Sequence, residues 1–177
     1  MKFFLTVFMF LIIGCVNSYY KPNLDDLRRS QQLIDRGVLY LRNNDAQNAM
    51  ANFEVALELD YSAEALDGIG ATYFLMGDYK QAQNYFLKAY NENNSYAPAL
   101  EHLALLYELF HYNEEAEILY NQALALEPKL YSARNNKAIF QYENKILGKS
   151  ELKSEILKAQ AIFGHKVINE NLKRLGD

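Results

Sequence analysis

The sequence predicts an all-α fold, an α-solenoid in which antiparallel helix pairs stack side by side. Three observations carry this. First, residues 79–90 (YKQAQNYFLKAY) align with 113–124 (NEEAEILYNQAL), setting Ala82 on Ala116, Phe86 on Tyr120 and Ala89 on Ala123 at an offset of 34. Second, the preceding stretch keeps that offset, with Leu66 on Leu100, Ile69 on Leu103, Gly70 on Ala104 and Tyr73 on Tyr107. Third, an earlier copy stands 33 residues upstream, where Leu33, Gly37, Tyr40, Ala49, Phe53 and Ala56 precede Leu66, Gly70, Tyr73, Ala82, Phe86 and Ala89. Self-similarity at such a period marks a repeat architecture, in which each unit buries its apolar face against its neighbour.

In chain order, the first element is 1–14. Phe3 to Ile13 is apolar apart from Thr6, follows Lys2, and ends at the small residue Gly14. The run is too short to cross a bilayer, which takes about 20 apolar residues, and it fits an export signal. Ile12-Ile13-Gly14-Cys15 resembles a bacterial lipobox. That resemblance implies cleavage after Gly14, a lipid thioether on the Cys15 sulfur and usually acylation of the new N-terminus. A thiolate is the nucleophile suited to such alkylation. The alternative is a plain signal peptide with an incidental cysteine. Val16 rather than Asp follows Cys15; by resemblance to lipoproteins of many Gram-negative bacteria, this implies the outer rather than the inner membrane. Residues 15–23 read as a lipidated tether. Asn23 is placed to cap the first helix, with Asp26 in its first turn.

Residues 24–130 carry three repeats, at about 30–62, 63–96 and 97–130. The landmarks are Leu33, Gly37, Tyr40, Ala49, Phe53 and Ala56 in the first. In the second they are Leu66, Gly70, Tyr73, Gly77, Ala82, Phe86 and Ala89, and in the third Leu100, Ala104, Tyr107, Ala116, Tyr120, Ala123 and Pro128. This pattern resembles the tetratricopeptide repeat (TPR), a helix-turn-helix unit. Small residues allow two helices to approach closely, and aromatic rings fill the space between successive pairs. The turn within each pair needs a left-handed backbone, easy for Gly77, tolerable for Asn44 and less comfortable for His111. Ser62 and Ser95 are expected to cap the helices after them, and Pro98 to sit in a first turn, where proline is tolerated.

Residues 131–177 read as a degenerate fourth pair and a cap. Residues 132–148 form its first helix, with Ala138 at the small position and Gln141-Tyr142 near the Tyr position. Residues 150–164 form the second, with Leu152, Ile156, Ala159 and Phe163 on one face. Residues 165–177 read as a capping helix that closes the stack with a polar end.

By the TPR resemblance, four positions of each repeat line the concave groove. They include Gln31, Ile34, Val38 and Leu41 in the first repeat, and Glu64, Asp67, Ala71 and Phe74 in the second. The third offers Pro98, Glu101, Leu105 and Glu108; the fourth offers Ser132, Asn135, Ile139 and Tyr142. Some TPR domains clamp an acidic chaperone tail with basic groove residues, and this set lacks them. Glu64, Asp67, Glu101 and Glu108 beside Ala71, Phe74, Leu105 and Asn135 suit a protein partner with an apolar, basic-flanked segment.

A formal net charge of −4 without a Lys/Arg block argues against nucleic acid. The three histidines are dispersed, one cysteine permits no internal disulfide, and no nucleophile or phosphate-loop motif occurs. No metal, cofactor or catalysis is expected. The combined resemblance is to TPR lipoproteins of bacterial envelopes. Two such groups are the pilotin-type lipoproteins of type IV pilus secretins and the TPR lipoprotein of the β-barrel assembly machine. It implies a scaffold that assembles or stabilises an envelope complex. A surface-exposed lipoprotein contacting host or matrix material is the alternative, and an accessory subunit of an enzyme is a third reading.

Overall fold

The computed structural model describes residues 21–163, with side chains through Lys158. Gly14, Cys15, most of the tether and the expected capping helix lie outside the described residues, as do the side chains of Ala159 and Phe163. Within the described residues there are eight helices and no strand. They are α1 (Leu24–Arg42), α2 (Ala46–Leu59), α3 (Ala63–Met76), α4 (Tyr79–Glu92), α5 (Ala97–Leu109), α6 (Asn113–Leu126), α7 (Tyr131–Glu143) and α8 (Lys149–Phe163). No helix among them is long and apolar enough to cross a membrane. They pack as pairs, α1 with α2, α3 with α4, α5 with α6 and α7 with α8. Each pair then rests on the next through α2–α3, α4–α5 and α6–α7, while the first helices α1, α3, α5 and α7 also touch in series. This is the all-α solenoid that the repeat offset predicts.

One device closes all four turns. Asn44, Gly77, His111 and Lys145 hold left-handed φ values of 60°, 81°, 61° and 60°. Each donates its backbone N–H three residues back, to Leu41, Phe74, Glu108 and Tyr142. The next N–H reaches five residues back, from Asp45 to Tyr40, Asp78 to Tyr73, Tyr112 to Tyr107 and Ile146 to Gln141. These paired bonds are a Schellman closure, and they satisfy the last carbonyls of the first helix. Gln141 thus stands where the other pairs have tyrosine. Lys145 occupies the left-handed position with no glycine or asparagine signal, at a cost of about 1–2 kcal/mol shared by His111.

The helix starts differ in quality. Asn23 caps α1 through a reciprocal box, accepting from the N–H of Asp26 at 3.0 Å while the Asp26 carboxylate accepts from the Asn23 N–H at 3.3 Å. Asp45 and Asp78 cap α2 and α4, each accepting from the N–H three residues on at 3.1 Å. Ser62 caps α3 as expected, accepting from the Ala65 N–H at 3.4 Å. The expectation for Ser95 fails: the residue preceding α5 is Tyr96, whose side chain makes no capping bond. The Ser95 N–H turns instead to the Asn93 side chain at 3.0 Å. Pro98 does lie in the first turn of α5. Tyr112 leaves α6 without a side-chain cap, a loss of about 1 kcal/mol relative to an aspartate there.

The core runs along the second helices. Phe53, Phe86 and Tyr120 are all buried, each flanked by alanines of its own helix: Ala49 and Ala56, Ala82 and Ala89, Ala116 and Ala123. The Phe53 ring lies between α1 and α3, so close that a Cβ on Gly37 would meet it at 2.7 Å and one on Gly68 at 2.3 Å. In the fourth pair, Leu152 and Ile156 of α8 close on Ala138 of α7.

Candidate binding groove

The eight groove residues expected to suit a partner, Glu64, Asp67, Ala71, Phe74, Glu101, Leu105, Glu108 and Asn135, do not share one environment. Asp67 and Glu101 occupy the same helical position in α3 and α5, and both are buried, at 5% and 4% exposure. Each turns into the seam between its own pair and the next. The Asp67 carboxylate meets His102 Nδ1 at 2.8 Å and accepts from the Tyr96 hydroxyl at 3.3 Å. Glu101 accepts from the Ser132 hydroxyl at 2.6 Å and from the Asn136 amide at 2.8 Å. Both acids therefore join neighbouring repeats rather than offering charge to a ligand. Asn135 is likewise buried, its amide donating to the Asn136 side chain at 3.3 Å. Glu64 stays exposed at the start of α3.

The remaining four residues, Ala71, Phe74, Leu105 and Glu108, do come together. Ala71, Phe74 and Leu105 line a hollow of about 220 Å³ with Phe86 and His102. Phe74 and Leu105 continue into a second hollow of about 600 Å³, bordered by Glu108, Leu109, Glu143 and Asn144. The larger hollow is thus lined by three apolar side chains, two carboxylates and the polar residues His111, Asn113 and Asn144. Glu143 is not among the residues that the sequence singles out, because it closes α7, the first helix of the degenerate fourth pair.

The electrostatics follow from burial. Burial disfavours a charge on His102, but the Asp67 carboxylate outweighs this through its charge and hydrogen bond, with help from Glu101. The ring is pushed up to about 9 and carries a proton at neutral pH. The opposite balance holds Glu101 above the usual carboxylate range: burial dominates over the relief offered by His102, Ser132 and Asn136, and Asp67 adds to the rise. Glu108 is also raised, by burial first and by the nearby Glu143, against the lowering effect of the Tyr120 hydroxyl that donates to it at 2.8 Å. A cation lying between Glu108 and Glu143 relieves that repulsion.

His102, Tyr96, Ser132 and Asn136 are the partners that sequence reading missed. A signal was present: Asp67 to His102 and Glu101 to Asn136 are both 35 residues apart, one repeat plus one position.

The tetratricopeptide-repeat family profile matches residues 63–96, the second repeat. No curated protein matches the chain. Among solved structures, a thermophilic TPR protein of Thermus thermophilus superposes with a TM-score of 0.69 at 17% identity, covering 82% of this chain and 80% of that one. Pseudomonas aeruginosa pilF gives a TM-score of 0.66 at 19% identity, over 85% of this chain and 69% of its own. The first TPR domain of Spaghetti (RPAP3), bound to the HSP90 peptide SRMEEVD, gives 0.56 at 20% identity, over 67% and 95%. Identities at this level speak for the fold, and residues 21–163 form a tetratricopeptide-repeat solenoid of four helix pairs.

Proposed function

We propose that this chain is a membrane-anchored scaffold whose concave groove holds a protein segment that is apolar with a basic flank. The observation that supports it is the 600 Å³ hollow, whose lining sets Phe74, Leu105 and Leu109 beside Glu108 and Glu143. Apolar side chains bury against the first three, and a Lys or Arg beside them meets two carboxylates. The peptide held by the Spaghetti domain, SRMEEVD, ends in acids. The acids here select the reverse charge.

In this reading the scaffold rides close to a membrane, outer rather than inner, through a lipid on Cys15, with cleavage after Gly14. Its partner belongs to an envelope complex whose assembly or stability depends on it. The anchor rests on the resemblance of IIGC to a lipobox. Crosslinking and capture from membranes, followed by mass spectrometry, tests the groove. Glu108→Lys with Glu143→Lys is expected to abolish capture of the partner retained by the unaltered chain; undiminished capture defeats the acidic-groove reading. Cys15→Ser is expected to lose lipid labelling and membrane retention while keeping the helical spectrum. A variant that stays processed and membrane-bound defeats the anchor. Degradation by protease added to intact cells places the repeats on the surface and favours contact with host or matrix material.

A further inference from the structure

The third turn abandons what the first two turns keep. Where those carry Asn43-Asn44-Asp45 and Met76-Gly77-Asp78, it carries Phe110-His111-Tyr112. It has neither glycine nor asparagine at the left-handed position, and no carboxylate to cap the next helix. In exchange it displays two aromatic rings, Phe110 at 49% and Tyr112 at 54% exposure. Local preferences surrendered without a gain in burial are a mark of a functional position.

The two rings border a hollow of about 290 Å³ at the turn edge between α4 and α5, together with Tyr79, Lys80, Gln83 and Tyr107. Tyr79 meets Phe110 edge to face, at 5.5 Å and 86°. Tyr107 meets Tyr112 at 5.9 Å and 66°. The Gln83 amide donates to the Tyr107 hydroxyl at 3.2 Å and fixes that ring's outer end. The box is thus preformed by ring-on-ring packing. It shares no lining residue with the two groove hollows.

We propose that this aromatic box binds an extended, proline-containing peptide segment that carries a carboxylate. Its walls offer ring faces and few polar atoms, so a ligand rich in N–H groups or hydroxyls loses hydration without replacement. Proline has no N–H, and a polyproline II segment has no internal hydrogen bonds and little freedom to lose. Aromatic-lined grooves are the general solution for such segments. Lys80, exposed at the rim, sets the charge: it favours an acidic neighbour, the opposite of the groove's preference. A sugar demands more hydrogen-bonding side chains than Lys80, Gln83 and the tyrosine hydroxyls supply.

The probe is a fluorescein-labelled decaproline with an aspartate at each end, titrated with the full chain and followed by anisotropy. A lysine-ended decaproline is the control. The aspartate form is expected to bind at least tenfold more tightly, and Lys80→Glu to invert that order. Phe110→Ala is expected to weaken binding at least tenfold. Tyr112→Asn is the decisive variant, because it supplies α6 with a capping residue while removing a ring. It is expected to melt at a higher temperature and still lose at least tenfold in binding. Glu108→Lys is expected to leave the titration unchanged, which separates this site from the groove. Failure of the aspartate-ended peptide to saturate, binding that survives both ring deletions, or stronger competition from an N-acetylglucosamine oligomer overturns the proposal.

Discussion

The seam between the first and second helix pairs and the seam between the second and third are built on the same two positions with different chemistry. In the first seam those positions hold Ile34 and Gly68; in the second, Asp67 and His102; in the third, Glu101 and Asn136. Ile34 sits in an apolar cluster with Phe53, Ala65 and Ile69, and Gly68 lies directly against the Phe53 ring. One repeat on, the space above Phe86 is filled by His102, whose ring lies tilted against it at 5.1 Å and 30°, with Asp67 against its Nδ1. A common backbone geometry thus accepts either cohesion by area or cohesion by charge. The apolar seam is indifferent to pH, and the charged seam is not.

Removing an aromatic insert has the largest expected effect. Phe53→Ala leaves a cavity between α1 and α3 and is expected to cost about 3–5 kcal/mol, read from the denaturant midpoint. If the loss were the same at pH 6 and pH 9.5, the first seam is apolar as described. Asp67→Asn keeps the shape of the second seam but strips His102 of its counter-charge. A loss of about 2 kcal/mol at neutral pH is expected, since hydrogen bonds to charged groups are worth that much and His102 is partly exposed.

The pH dependence sharpens the contrast. The folded chain holds the His102 proton up to about 9, above the ordinary imidazole value of 6.5. Its stabilisation is therefore complete below about 6.5 and is lost as pH rises through 9. Denaturation of the unaltered chain at pH 6 and at pH 9.5 should show this decline, and Asp67→Asn should flatten it. Glu101→Gln tests the third seam. Because burial raises the Glu101 carboxyl, its ionisation works against the fold as pH climbs past its ordinary value. The amide is expected to cost less than about 0.5 kcal/mol at neutral pH or to stabilise slightly. A loss as large as that of Asp67→Asn would make the two acids equivalent and erase the distinction. The smallest effect belongs to the turns: His111→Gly is expected to gain about 1 kcal/mol by relieving the left-handed backbone.

The solenoid was legible because the repeat offset aligns side chains that do the same work. Ala82 and Ala116, Phe86 and Tyr120, and Gly70 and Ala104 report a shared packing geometry directly. The turn residues Asn44, Gly77 and His111 followed from counting along that register. Lys145 did not, because a lysine carries no local sign of a left-handed backbone and the fourth repeat has few landmarks. The placement of the candidate groove residues was half legible. Ala71, Phe74, Leu105 and Glu108 come together as the register implies. Asp67 and Glu101 read as ligand-facing acids, since an isolated acid on a helix does not name its partner. The partner is supplied by the next repeat, 35 residues away, and stacking alone decides that the two meet. Ser95 shows the same limit at short range, where a one-residue shift passes the start of α5 to Tyr96.

The unlike seams also fix which neighbour each helix pair accepts. If the second pair were excised and the first joined to the third, Ile34 would face His102, a charge enclosed with no acid of its own seam. If the third were excised, Asp67 would face Asn136 and the ring over Phe86 would be missing. Joining the first pair to the third leaves a buried polar group unmatched. A solenoid of identical seams would allow its units to be shuffled or exchanged between molecules. Here the buried acids write the sequence of units into the structure itself.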